Sequence, residues 1–299
     1  MKLLIVTQVV DSTHPILGFF HRWIEEFAKH AEQVHVIALG AGEHALPSNV
    51  TVHSLGKEQG AGKLQQLATF YSLLMTLHKN YDAVFVHMNP EYVVAAGWWW
   101  RLTGKTIGLW YTHKSVDLKL RIAEFFANVV FTASKESFRL TSKKVQVVGH
   151  GIDTDFWTPD GGMVRGTHAL SVGRLMTSKR HDLAIREAAS KGFTLKIAGD
   201  GPERERLGAL ARECGATVEF LGALIASRLR SEYRSAARLI HRSETGSLDK
   251  VVLEAAACGC PVDTTDPALK LLSLTPEYVS THHSLSSLIP RILSLYASA

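Results

Sequence analysis

The sequence is poor in cysteine, in long apolar runs and in clustered charge, and each scarcity removes a class of function. Its 299 residues hold three cysteines, Cys214, Cys258 and Cys260. An odd number with no Cys-x-x-Cys pair argues against a disulfide framework or a zinc site. Cys258 and Cys260 flank an expected helix end, where small apolar residues pack. No apolar run approaches the roughly 20 residues that a membrane-spanning helix needs. Met1–Val10 is apolar after Lys2, but Asp11 cuts the run short and no small-residue cleavage site follows. That segment reads as a first strand rather than a signal peptide, and a cytoplasmic protein is expected. Lys and Arg number 33 against 28 Asp and Glu, a net charge of +5. The cations are scattered, apart from Lys143–Lys144 and pairs such as Lys179–Arg180. That scatter offers no arginine-rich stripe for nucleic acid and suits an anionic small ligand or an anionic membrane surface. There is no internal repeat and no low-complexity segment.

What is present is alternation. Hydrophobic residues make up 46% and charged residues 20% of the chain, ordinary values for a globular protein long enough for two domains of about 150 residues. Short β-branched runs at Leu3–Thr7, Val34–Leu39, Ala83–His87, Ile107–Thr112, Val129–Ala133 and Val145–Gly149 read as strands. Helical patterns at Phe19–His30, Lys63–Lys79, Tyr92–Leu102, Ser115–Phe126 and Ser134–Leu140 fall between them. Asp153–Thr167 holds Pro159, Gly161, Gly162 and Gly166 without a sustained period and reads as a linker. The alternation then restarts, with strands at Ala169–Gly173, Thr194–Ala198, Thr217–Leu221 and Leu239–His241. Helices are expected at Arg180–Ser190, Glu203–Cys214, Ser227–Ala237 and Asp249–Cys258. The fold class is therefore α/β, with two doubly wound Rossmann-like domains, residues 1–158 and 159–299, facing a cleft lined by strand carboxyl ends.

The most informative stretch runs from Ser243 to Val262. A polar, Gly-containing loop feeds an apolar helix carrying one carboxylate, Glu254, before Gly259 and Pro261 stop the helix and a new strand begins. A loop of this kind at a helix N-terminus can hold phosphate through backbone N–H groups and the helix dipole. Glu254 lies nearly two turns into the helix, where a ribose could reach it.

Four motifs then give the chain a family likeness. They are Val172-Gly173-Arg174-Leu175 with Lys179 five residues after the Arg, Ile197-Ala198-Gly199-Asp200-Gly201-Pro202, Gly149-His150-Gly151-Ile152-Asp153-Thr154-Asp155-Phe156, and the segment around Glu254. In this order the chain resembles the retaining GT-B glycosyltransferases of family four, the group 1 type, over roughly residues 145–262. The resemblance implies a nucleotide-sugar donor, a glycan or lipid-linked acceptor and no metal or other cofactor. It also implies a terminal helix, here Leu285–Tyr296, that crosses back to brace the first domain.

The chemistry follows residue by residue. Cleaving a sugar–diphosphate bond leaves growing negative charge, which Arg174 and Lys179 can meet, the first bidentately and the second as a compact charge. Glu254 accepts from ribose hydroxyls; its neighbours are apolar, so a carboxylate there needs a partner. The donor loop comprises Glu244, Gly246, Ser247, Leu248 and Asp249. The family usually carries a second Glu eight positions before Glu254, where this chain has Gly246, with Glu244 or Asp249 as substitutes. His113 ends a strand where the family places a histidine on the donor sugar; a strand-end His also serves structure alone. Gly18 in the first β–α loop is either a diphosphate-loop glycine or a helix-entry glycine. Gly173 and Gly199 are expected beside the donor. Asp153-Thr154-Asp155 is read as a capped turn rather than a metal-binding DxD.

Trp98-Trp99-Trp100 cannot all face inward on one helix, which points to a peripheral membrane contact near a lipid-linked acceptor or to a domain or subunit contact. The expected activity is metal-independent hexosyl transfer by front-face displacement, at the inner face of a membrane or in the cytoplasm. A non-catalytic nucleotide-sugar-binding protein and a sugar-nucleotide epimerase on the same scaffold are the alternatives.

Overall fold

The computed structural model describes residues 1–14, 16–243 and 248–297. Chain contacts divide it into two compact units, Met1–Gly151 with the chain from Leu285 onward, and Ile152–Ser284.

The first unit runs β1 (Lys2–Val10), α1 (Phe19–His30), β2 (Gln33–Ala41), β3 (Val50–Ser54), α2 (Lys63–Leu77), β4 (Ala83–His87), α3 (Pro90–Leu102), β5 (Thr106–Trp110), α4 (Leu118–Phe126), β6 (Val129–Thr132) and β7 (Val145–Val147). Its sheet is parallel in the order β3-β2-β1-β4-β5-β6-β7, so the order reverses between β1 and β4. Leu3, Leu4, Ile5 and Val6 of β1 are fully buried, as expected of a strand covered on both faces. In α1, Phe20, Trp23, Ile24 and Phe27 follow the i, i+3, i+4, i+7 rule and lie at 2% exposure or less. Each such side chain stabilises the fold by about 1.5–3 kcal/mol. Helices α2, α3 and α4 cover the opposite face of the same sheet.

The second unit runs β8 (Ala169–Val172), α5 (His181–Lys191), β9 (Leu195–Ala198), α6 (Arg204–Glu213), β10 (Val218–Gly222), α7 (Ala226–Ser235), β11 (Arg238–His241), α8 (Lys250–Ala257), β12 (Val262–Thr264), α9 (Pro267–Lys270) and α10 (Pro276–His283). Its parallel sheet is ordered β10-β9-β8-β11-β12, reversing between β8 and β11. The last helix, α11 (Leu285–Ala297), belongs to the first unit and packs on α1 and the sheet. Its Tyr296 hydroxyl donates to the Val84 carbonyl at 2.8 Å. No helix among the described residues is long and apolar enough to cross a membrane.

Two helices differ from expectation. Ser134–Leu140 is no helix but a single 3₁₀ turn at Lys135–Ser137, because Phe138 leaves it in an extended conformation and is buried in the core. The fourth helix starts at Leu118 rather than Ser115, because the Asp117 side chain accepts from Leu120 N–H and sets the N-cap there. Strand β3 was not anticipated; its half-exposed Val-Thr-Val-His-Ser run pairs only with β2 at the sheet edge.

The expected crossover turns sharply. Gly149 and Gly151 have φ of 96° and 68°, and a Cβ on Gly151 would stand 2.2 Å from the Trp23 ring. Trp23 Nε1 donates to Gly151 O at 3.1 Å. Asp153 caps the following turn through Phe156 N–H.

Candidate active site

In an open parallel sheet, ligands bind beyond the strand carboxyl ends where the strand order reverses. In the second unit this point lies between β8 and β11, and three of the sequence motifs converge there.

The chain leaves β8 through Gly173, Arg174 and Leu175. The segment after β9 clamps this exit by backbone bonds. Gly173 N–H donates to Ala198 O at 3.0 Å and Leu175 N–H to Asp200 O at 2.9 Å. The approach is so close that a Cβ on Gly199 would stand 1.9 Å from Gly173 O, and one on Gly201 2.6 Å from Leu175 O. Both glycines also have positive φ, 145° and 156°. The glycines of the second motif therefore shape the Gly173–Arg174 turn. Arg174 projects from it exposed, with no acidic partner among the described residues.

Lys179 does have a partner. Its Nζ donates to Asp249 Oδ2 at 2.8 Å. Asp249 is the N-cap residue of α8, and its side chain makes no capping hydrogen bond to the helix. His241, the last residue of β11, places Nε2 at 2.9 Å from the same carboxylate oxygen. A carboxylate can only accept, so Nε2 carries the proton. Nδ1 of the ring lies 3.0 Å from Thr264 Oγ1 at the end of β12. The result is a chain Lys179–Asp249–His241–Thr264 across the ends of β11 and β12. Burial opposes ionisation of Asp249, but the His241 hydrogen bond and the Lys179 charge outweigh it, and the carboxyl stays well below the usual range.

A second histidine supports the turn from beneath. His181, the first residue of α5, is 2% exposed and its Nδ1 lies 2.9 Å from Ser171 Oγ. Its Nε2 faces the Gly173 backbone, 3.7 Å from where a Cβ would stand. Burial pushes its pKa down to about 4, so the ring is neutral near pH 7.

Glu254 is buried on α8 and partnered within its own helix, where Lys250 Nζ lies 3.0 Å from Oε1. Tyr233 is fully buried against the same core; burial and the Glu254 charge raise its phenol pKa well above the ordinary value. Leu248 precedes Asp249 and is half-buried against this core. Glu244, Gly246 and Ser247 lie outside the described residues. A groove of about 490 Å³ opens beyond β12, lined by Asp263, Thr264, Leu269 and Lys270 among others.

The two remaining candidates lie in the first unit. Gly18 caps α1 with φ −57°, and a Cβ there would stand 2.6 Å from His14 O. Close packing rather than conformation requires glycine. His113 follows β5, exposed, and its Nδ1 accepts from Ser115 N–H at 3.1 Å. The structure thus brings Gly173, Arg174, Lys179, Gly199 and Asp249 to one switch point. Sequence reasoning missed Ser171, His181, Tyr233, His241 and Thr264. The available signal was polar residues at the carboxyl ends of β8 and β11, inside otherwise apolar strands. Among the described residues no three His, Cys, Asp or Glu side chains converge as a metal site.

Residues 165–272 match the family described as Glycosyl transferases group 1. The chain is similar to a GDP-mannose-dependent alpha-mannosyltransferase of Mycobacterium tuberculosis, with 34% identity over 134 residues, 45% of this chain and 32% of that protein. It is similar to a D-inositol 3-phosphate glycosyltransferase of Acidothermus cellulolyticus, with 34% identity over 145 residues, 40% of this chain and 32% of that protein. The chain therefore spans about a third of the length of these curated relatives. Among solved structures, Anabaena Alr3699/HepE in complex with UDP superposes with a TM-score of 0.76 over 100% of both chains at 17% identity. That likeness establishes the fold as GT-B, with two Rossmann-like units.

Proposed function

We propose that this chain, whose residues 165–272 match the group 1 glycosyl transferases, moves a hexose from a UDP- or GDP-sugar to a glycan or lipid-linked acceptor. One observation carries the reading. The β8/β11 switch point sets an exposed Arg174 beside a Lys179 held by Asp249, next to the N-terminus of α8. A nucleoside diphosphate is the ligand that such cations and helix N–H groups suit. The GDP-mannose-dependent relative and the UDP bound to HepE support a donor of this class.

In this reading the bond between the sugar's anomeric carbon and the diphosphate oxygen breaks, and its electron pair stays on the leaving phosphate. The acceptor oxygen bonds to the same carbon from the same face, and its proton passes to the leaving phosphate oxygen. The anomeric configuration is thereby retained without a carboxylate nucleophile. Arg174 and Lys179 stabilise the developing charge in place of a metal. Glu254 holds the ribose. Gly246 stands where the family has a sugar-reading Glu, which favours one second reading: a protein that binds the nucleotide sugar without transferring it.

The test is release of nucleoside diphosphate from a panel of UDP- and GDP-sugars with acceptor extracts. Arg174→Ala is expected to lower kcat/KM by about 10²-fold or more, and Glu254→Ala to raise KM for the donor. Turnover abolished by EDTA, or untouched in both variants, sinks the proposal. Tight calorimetric binding without transfer to any acceptor establishes the second reading instead.

A further inference from the structure

The outer face of the α2–α4 layer exposes large apolar side chains that the first unit's core does not use. The inner faces pack on the sheet through Phe70 and Leu74 of α2, Val93 and Trp100 of α3, and Leu120 and Ala123 of α4. At about 100° per residue, Trp98 and Leu102 point opposite Val93 and Trp100, and Leu118 and Phe125 opposite Leu120 and Ala123. Trp98 is 47%, Leu102 77% and Phe125 70% exposed, with Met75 of α2 67% exposed beside them. Met75, Leu102 and Phe125 each lie in the last turn of their helix. The three helices run the same way, as crossovers of one parallel sheet must, so these side chains mark one end of the layer.

The net positive charge of the chain falls on this stretch because acidic residues are scarce in it. Between residues 63 and 144, eleven Lys and Arg stand against five Asp and Glu, a net of +6. The whole chain carries +5, so all other residues together carry −1. Several of the acids are engaged locally. Glu91 holds Lys119 at 2.9 Å, Asp117 caps Leu120, and Glu124 lies 3.8 Å from Lys144. Lys79, Arg101, Arg121 and Lys143 are exposed around the apolar side chains.

We propose that this face docks on an anionic lipid bilayer, with Trp98, Leu102 and Phe125 entering the headgroup region and the surrounding cations meeting lipid phosphates. Charge selects this occupant. A second copy docking through the same face would set two surfaces of like charge against each other, whereas an anionic bilayer neutralises them. Shape agrees: the apolar side chains stand singly on convex helices, which suits a deformable interface better than a rigid pocket. The Trp98 indole N–H already donates to Ala95 O at 3.1 Å, so its ring can leave bulk water without stranding a donor. The surface is independent of the sugar chemistry in the second unit.

Co-sedimentation of the full chain with phosphatidylcholine vesicles, with and without phosphatidylglycerol, tests this. The chain is expected to pellet with the anionic vesicles and to be released by salt. Replacing Arg101, Arg121 and Lys143 by Glu lowers partitioning on the order of a hundredfold, at about fivefold for each cation removed. Trp98→Ser with Leu102→Ser and Phe125→Ser lowers it at least about tenfold and abolishes the vesicle-induced shift in tryptophan emission. All six side chains are exposed or nearly half-exposed, so both variants keep the parent melting temperature. Equal binding to neutral vesicles, binding to neither, or variants that pellet like the parent overturns the proposal. A dimer that the apolar substitutions dissociate, without vesicle binding, also overturns it and assigns the face to a second copy.

Discussion

Asp249 joins the two halves of the switch-point site. Its Oδ2 takes hydrogen bonds from Lys179 and His241 at 2.8 and 2.9 Å, tying the turn after β8 to the end of β11. Asp249→Asn keeps an oxygen for His241 but leaves Lys179 without an anion. A loss of about 1–3 kcal/mol in urea unfolding at pH 7 is expected, together with a higher KM for the donor as Lys179 loses its position. An unchanged midpoint would mean that solvent already screens the pair. His181 contributes to the response to acid, alongside His21, His35, His53 and His168, whose pKa values burial also lowers. Its folded pKa, about 4, lies below the ordinary value of 6.5, so the unfolded chain takes up the proton first. The stability it contributes is full above about pH 6.5 and falls by about 1.4 kcal/mol per pH unit down to about pH 4. Asp249 adds a second loss below about pH 4, where the unfolded carboxyl protonates before the folded one. Urea midpoints between pH 7 and 4 should thus slope in the parent and slope less steeply in His181→Gln.

At the scale of elements, the site depends on two loops meeting through glycine. Gly199→Ala would force a Cβ to within 1.9 Å of a carbonyl at φ 145°. Neither contact partner is a flexible side chain, so the backbone itself must move. A loss of at least about 3 kcal/mol is expected, with donor binding lost in parallel. Gly161→Ala, with nothing within 4 Å, is expected to change the melting temperature by less than about 2 °C. These glycines were legible as a motif, but their reason was not, because backbone proximity between β8 and β9 exits has no local signature. The same limit explains His241. Within Leu239–His241 it reads as one more strand residue, and only the pairing of β11 with β12 brings Thr264 to its ring. The strands themselves were legible, since parallel strands buried on both faces are written as apolar runs. Ser134–Leu140 misled because Phe138 is buried from an extended backbone rather than a helix, with Leu140 partly buried beside the same core. Glu254 showed its need for a partner in the sequence; that Lys250 meets it one turn earlier follows from i, i+4 geometry.

For the whole molecule, the two units make different demands on the chain. The second is continuous, and its cores draw on residues 152–279. The first is closed only when the chain returns after Ser284, because Leu285, Leu288, Ile289, Ile292 and Tyr296 of α11 are part of its core. At about 1.5–3 kcal/mol per buried side chain, α11 supplies at most roughly 15 kcal/mol. That is comparable to the entire stability of a domain. A chain ending at Ser284 is therefore expected to lose the first unit. Trp23 and Trp110, packed at 4.8 Å between ring centroids, would become solvent-exposed and shift their emission to the red. The second unit should keep its far-ultraviolet signal and its thermal stabilisation by UDP or GDP, since ligand that binds only the folded state raises its melting point. Ile292→Ala is the milder version, expected to cost about 2–5 kcal/mol in the first unit's transition alone. Two separate urea transitions, of which only one moves with Ile292→Ala, would show that the halves unfold independently. One transition that moves as a whole would show that they unfold together, and that the terminal helix stabilises both.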